Sequence, residues 1–134
     1  MSDALQVVAG IVRDAEQRVL ITQRPPGKYL AGWWEFPGGK LAEGESGQRA
    51  LQRELAEELG VVVLASRPLL TLHHDYPERS VHLAVYAVEA YEGEPRGLEG
   101  QALKWVSCAQ LAEEQLLPAD RPIVEHLIQS AVSR

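Results

Sequence analysis

The chain has 134 residues, of which 46% are hydrophobic and 24% charged, a balance that fits one ordinary globular domain spanning 1–134. No apolar run approaches the roughly 18 residues a membrane span needs, and Met1-Ser-Asp-Ala-Leu-Gln lacks the basic start and apolar core of a signal peptide. A net charge of −6 argues against a nucleic-acid polymer as partner, yet it is compatible with a polyanionic small molecule if divalent cations sit between the two.

In chain order, Leu5 to Arg13 reads as a strand, Asp14 to Gln17 as a turn and Arg18 to Arg24 as a second strand, which together predict a hairpin. Pro25-Pro26-Gly27 opens a loop that runs past Gly32, and Trp34-Glu35-Phe36 is a short strand ending at Pro37-Gly38-Gly39. Ser46 to Leu59 is the clearest helix, because Leu51, Leu55 and Leu59 recur every fourth residue and Gly60 supplies a stop. Val61 to Leu64 starts a further strand, and Leu69 to Tyr76 is predicted as a separate one before a turn at Pro77-Glu78-Arg79. Val81 to Tyr91 is apolar on both faces, as a central strand is. A Gly/Pro/Glu-rich loop from Glu92 to Gly100 precedes a short strand at Ala102 to Val106. Ser107 then caps a short helix through Leu111 to Glu114, and Asp120 to Val132 is a last amphipathic helix with Ile123, Val124, Leu127, Ile128 and Val132 inward. The sum is an α+β domain with a mixed sheet and a helix packed on it.

The acidic residues concentrate in Glu43 to Glu58 and Glu89 to Glu99. On the helix, Glu54, Glu57 and Glu58 stand at i, i+3 and i+4, so they share one face although like charges there repel. The leucine stripe docks the helix beside that face and leaves the carboxylates at the edge of a cleft. Oxygen ligands without His or Cys suit magnesium, with manganese able to substitute, rather than zinc. Taken alone, three glutamates on a helix are also what a solvated face looks like.

The spacing Gly39-x5-Glu45-x7-Arg53-Glu54-Leu55-x-Glu57-Glu58-x-Gly60-Val61 resembles the complete Nudix box. The resemblance implies the Nudix fold, an α/β/α sandwich. It also implies a magnesium-dependent pyrophosphohydrolase that converts a nucleoside triphosphate to monophosphate and pyrophosphate by attack of water on the β-phosphorus. It makes Glu54, Glu57, Glu58 and the Gly38 carbonyl metal ligands, with Glu54 also activating the water and Arg53 orienting the carboxylates. Glu54, Arg53 and Glu57 are thus the catalytic candidates. Glu35 to Lys40, Tyr76 to Arg79, Glu92 to Pro95, Glu99 to Gln101 and Leu117 to Pro122 extend the similarity to the MutT-type enzymes, which clear 8-oxo-dGTP from the nucleotide pool.

By that likeness Glu99 completes the metal shell, Arg24 and Arg79 contact the nucleotide, and Phe36 helps line the base pocket, with Gly39, Lys40 and Asp120 as further substrate-binding candidates. The plainer alternatives are surface arginines at Arg24 and Arg79, a loop carboxylate at Glu99 and a core role for Phe36. Asp120 departs from the pattern, because bacterial oxidised-guanine enzymes of this type carry Asn there. An ionised carboxylate only accepts hydrogen bonds, which suits the amine of cytosine; a protonated one also donates, which suits 8-oxoguanine. Relatives acting on cytidine nucleotides carry a similar Pro-Ala-Asp-x-Pro stretch, so a CTP or 5-methyl-dCTP pyrophosphohydrolase is the alternative. Asp120 also has the look of a helix N-cap. A non-catalytic nucleotide-sensing module and a nucleotide-sugar hydrolase are the remaining rivals, the first disfavoured by an intact box.

His73 and His74 are expected on opposite strand faces, which excludes a two-His clamp. Trp33 and Trp34 fit either the core or a cover on the cleft. Cys108, the only cysteine, is expected to be a small buried residue, with a reducing cytoplasm as the default location. A monomer or weak dimer is expected, with no membrane partner.

Overall fold

The computed structural model describes residues 4–132. One sheet has four strands: β1 (Leu5–Ile11), β4 (Gly38–Lys40), β5 (Val62–Tyr76) and β6 (Arg79–Glu92), in the order β4-β1-β6-β5. A second sheet joins β2 (Val19–Gln23), β3 (Trp34–Glu35) and β7 (Leu103–Val106) in the order β3-β2-β7. β1 runs parallel to β6 and antiparallel to β4, so the first sheet is mixed, as expected.

Two helices, α1 (Gly47–Leu59) and α2 (Arg121–Val132), cover opposite faces of the strands. Alternation along β1 decides which residue meets which helix. Val8 packs with Leu51, Leu55 and Leu59 of α1, whereas Ala9 and Ile11 pack with Ile123, Val124 and Leu127 of α2. The expected α/β/α sandwich is what forms. Val132 was expected inward, but its side chain lies outside the described residues.

The helix α1 begins and ends as its sequence dictates. Ser46 Oγ accepts the Arg49 N–H at 3.2 Å, and Gly60 takes the left-handed conformation (φ 72°) that only glycine adopts without cost. Three leucines at 0% exposure anchor it on the sheet. At roughly 1.5–3 kcal/mol each, their burial outweighs the repulsion among the glutamates by an order of magnitude.

Several local expectations change. The first two strands do not make a regular hairpin: β1 and β2 sit in different sheets and touch only where Arg13 bridges Val19 and the Leu20 N–H donates to Val12 O. Tight turn chemistry at Asp14, whose Oδ1 accepts the Glu16 and Arg18 N–H groups, reverses the chain, but tertiary packing then splays the strands. The two strands expected between Val61 and Tyr76 are one, β5, with register irregularities at Val63/Ala65, Ala65/Ser66 and Pro68/Leu70. Pro68 lacks an N–H, and an edge strand tolerates that loss. The short helix after Ser107 is a 3-10 turn, Cys108–Glu113, and Pro118–Asp120 forms another just before α2. Cys108 is half-buried rather than buried, and its Sγ accepts from Arg13 at 3.4 Å.

His73 pairs with Asp75 at 2.9 Å while His74 stacks on Tyr76, so the two histidines do part as expected. Trp34 packs against the α2-side core beneath the Lys104 ammonium.

Candidate active site

The strand β4, the α1 helix, the 92–102 loop and the Pro118–Asp120 turn converge on one cavity of about 1010 Å³. Its lining includes Gly38, Gly39, Lys40, Glu54, Glu58 and Glu99 toward one end and Arg24, Phe36, Arg79 and Asp120 among the rest. Ten of the predicted residues therefore meet in a single space, which nothing in their separate positions along the chain required.

Arg53 and Glu57 do not line that cavity. At i, i+4 spacing the helix carries two adjacent rows, Arg53 with Glu57 and Glu54 with Glu58, and only the second row faces the cavity. Glu54 and Glu57 still meet at the Arg53 guanidinium, so the glutamates do share a side of α1, with Glu57 outside the cavity lining. Arg53 instead works as a strut. Its Nε and Nη2 each donate to Glu45 at 2.8 Å, Nη2 also donates to Lys40 O at 3.0 Å, and Nη1 reaches Glu54 at 2.9 Å and Glu57 at 3.2 Å. These bonds hold the Glu45 carboxyl down at about 2 and fix the Glu54 carboxylate against the β4 loop. Gly39 completes the fit, because a Cβ there would fall on the Glu54 carboxylate, at 1.8 Å from Oε2.

Glu58 is half-buried, and its Oε2 accepts the Gly38 N–H at 3.2 Å. Burial first, then the charges of Glu54, Glu35 and Glu99, push its carboxyl up to about 8. Glu54 is also raised, chiefly by burial, against the opposing pull of Arg53. Among the described residues no three His, Cys, Asp or Glu side chains are gathered into a ready-made metal cluster. The donor set nonetheless fits a hard divalent cation: its ligands are all oxygen, and Glu54 and Glu99 crowd enough negative charge on Glu58 to raise it.

At the other end, Asp120 is 5% exposed, and its Oδ2 accepts the Phe36 N–H at 3.3 Å. The side chain is thus turned across the cavity rather than back onto its own helix as a cap. Burial, then the Glu35 charge, push its carboxyl up to about 8, so at neutral pH it carries its proton. Phe36 serves in both of the ways considered, at 3% exposure in the α2-side core and on the cavity lining.

Two groups escaped the sequence. Glu35 sits between the two ends; it pairs with Arg24 at 3.0 Å, is raised by burial, and in turn raises both Glu58 and Asp120. The available signal was one acid set among aromatic residues, Trp34-Glu35-Phe36. Tyr76 joins the lining and bonds the Ala119 N–H at 3.1 Å, a contact across 43 residues that no local pattern announces.

The NUDIX domain family model matches residues 8–126. The chain is 37% identical to the 8-oxo-dGTP diphosphatase of Escherichia coli (strain K12) over 123 residues, 92% of this chain and 95% of that one. It is 36% identical to the CTP pyrophosphohydrolase of the same organism over 121 residues, 90% of this chain and 89% of that one. A MutT structure described for Aliivibrio salmonicida and Vibrio cholerae superposes with a TM-score of 0.81 at 38% identity, covering 96% of this chain and 99% of that one. Box, fold and cavity agree with these matches, and the chain belongs to the Nudix family, among its MutT-like pyrophosphohydrolases.

Proposed function

We propose that the chain hydrolyses 8-oxo-dGTP to 8-oxo-dGMP and pyrophosphate in a magnesium-dependent reaction, which would make it a sanitiser of the cytoplasmic nucleotide pool. One observation carries the choice of base: Asp120, where an amide was expected, is buried deeply enough to stay protonated at neutral pH. A neutral carboxyl can donate through its hydroxyl and accept through its carbonyl oxygen, as an amide does. That is the pattern 8-oxoguanine asks for, with O6 accepting and the N7 proton donating.

Glu54, Glu58 and Glu99, with the Gly38 carbonyl, are the groups we assign to magnesium; Glu57 would join them only by leaving Arg53. Bound there, magnesium, or manganese in its place, supplies positive charge that offsets the charge of the phosphate chain. Arg53 pulls against the burial that raises Glu54 and keeps its carboxylate aimed, so that Glu54 can take the proton of the water attacking the β-phosphorus. Lys40, Arg24 and Arg79 would meet the nucleotide's phosphates and sugar from the cavity rim, and Gly39 leaves room for a phosphate near Glu54.

The alternative substrate is CTP or 5-methyl-dCTP, which the same Asp120 suits when ionised, since a carboxylate accepts from an exocyclic amine. The deciding measurement is kcat/KM for 8-oxo-dGTP, dGTP, CTP and 5-methyl-dCTP with magnesium, each repeated with chelator. Preference for 8-oxo-dGTP over dGTP by several hundredfold is expected. Preference for the cytidine nucleotides would overturn the base assignment, and pyrophosphate release unaffected by chelation would overturn the metal.

A further inference from the structure

Asp120 can discriminate between bases only if its carboxyl is held in one place. It sits at the end of a 3-10 turn of three residues, Pro118–Asp120, where its own N–H is used within the turn, donating to Leu117 O at 2.9 Å. The Ala119 N–H points away from the turn and donates to the Tyr76 hydroxyl at 3.1 Å. Tyr76 is the last residue of β5, on an edge strand of the other end of the fold. Its ring is itself fixed from two sides: the Tyr29 ring meets it edge-on at 5.8 Å, and the His74 ring lies 4.4 Å away. Burial holds the Tyr76 phenol above its ordinary pKa, so it stays neutral. The phenol accepts in this bond, which leaves its own proton uncommitted on a cavity-lining residue.

We propose that Tyr76 is a positioning residue for base recognition, its hydroxyl pinning the Pro118–Asp120 turn so that Asp120 meets the base edge in a fixed orientation. This rests on the reading that Asp120 faces the base. Phenylalanine at this position would keep the ring stacking and lose only the pin. The turn would then retain its internal hydrogen bond and the Asp120–Phe36 bond, but the backbone between them could shift by the fraction of an ångström that base discrimination depends on.

The test is Tyr76→Phe in the full chain, with kcat and KM measured for the nucleotide the wild type prefers and for one it rejects. Loss of one neutral hydrogen bond predicts a three- to tenfold fall in the preference ratio, carried by KM for the preferred nucleotide, with kcat unchanged within twofold. Because Tyr76 acts through Asp120, the same substitution in an Asp120→Ala background is expected to leave the ratio where Asp120→Ala put it. An equal loss for both nucleotides, no loss at all, or a full additive loss in the Asp120→Ala background would each overturn the proposal. A wild type preferring CTP would overturn the 8-oxoguanine assignment instead, and the fate of the CTP preference in Tyr76→Phe would still decide the role of Tyr76.

Discussion

Replacing Asp120 by asparagine separates two consequences of burying an acid. The amide has nearly the same volume and keeps an oxygen for the Phe36 N–H, but it cannot ionise. In the folded chain the Asp120 carboxyl titrates at about 8, against a reference of 3.8. Between those values the folded state holds a proton that the unfolded state has released. The raised pKa therefore contributes stability that is fully present below pH 3.8 and is lost as the pH rises through about 8. Within that window the loss is about 1.4 kcal/mol per pH unit, or roughly 3 kcal/mol between pH 5 and pH 7. Asp120→Asn lacks this slope. Urea unfolding of both proteins at pH 5, 6, 7 and 8.5, with chelator throughout, is expected to show the variant gaining on the wild type by roughly 3 kcal/mol from pH 5 to 7 and levelling off above pH 8. The same pair offers a kinetic readout: the wild-type preference for 8-oxo-dGTP over dGTP is expected to decline above pH 8, and that of Asp120→Asn to persist. A stability difference that does not change with pH would refute the burial argument, and a variant without 8-oxo-dGTP preference would refute the claim that Asp120 imitates an amide.

Glu54→Gln is expected to lower kcat by at least a thousandfold, about 4 kcal/mol of transition-state stabilisation, while far-ultraviolet circular dichroism and the unfolding midpoint stay near wild type. Gly39→Ala places a methyl group on the Glu54 carboxylate, so a loss of activity of similar order is expected together with weaker manganese binding by electron paramagnetic resonance; unchanged manganese affinity would contradict the geometry. Leu55→Ala, at a 0% exposed position under the catalytic helix, is expected to cost about 2–5 kcal/mol in denaturant unfolding, and a cost below 1 kcal/mol would mean that the helix is not docked as described.

The catalytic helix was legible because its information is local. Ser46, the leucine spacing, Gly60 and the carboxylates all lie within fifteen consecutive positions, and each acts on near neighbours. The site beyond it was legible residue by residue through resemblance, and ten of those residues do meet at the cavity. What the sequence hid was relational. That Glu54 and Glu58 line the cavity while Glu57 does not depends on how α1 is rotated against the sheet, which the leucine stripe constrains only to within a residue or so. That Asp120 is neutral depends on burial by elements far away in the chain. The separation of β1 from β2 was decided by core packing on the two helices against a turn sequence that favours a hairpin. Glu35 and Tyr76 bond partners 11 and 43 residues away, Arg24 and Ala119, and periodicity carries no trace of either bond.

The hydrogen bond between Phe36 and Asp120 spans 84 positions of the chain, so the cavity has one wall from the early strands and another from the turn that launches the last helix. A nucleotide bound between them bridges the beginning and the end of the fold. Binding to the folded form alone stabilises it by RT ln(1 + [L]/Kd), about 2.7 kcal/mol at a hundredfold excess over Kd. Opening of the terminal helix, and with it exposure of the apolar face of Ile123, Val124 and Leu127 to proteases, is then governed by how much substrate surrounds the enzyme. Substrate abundance would in this way set the lifetime of the protein that removes it.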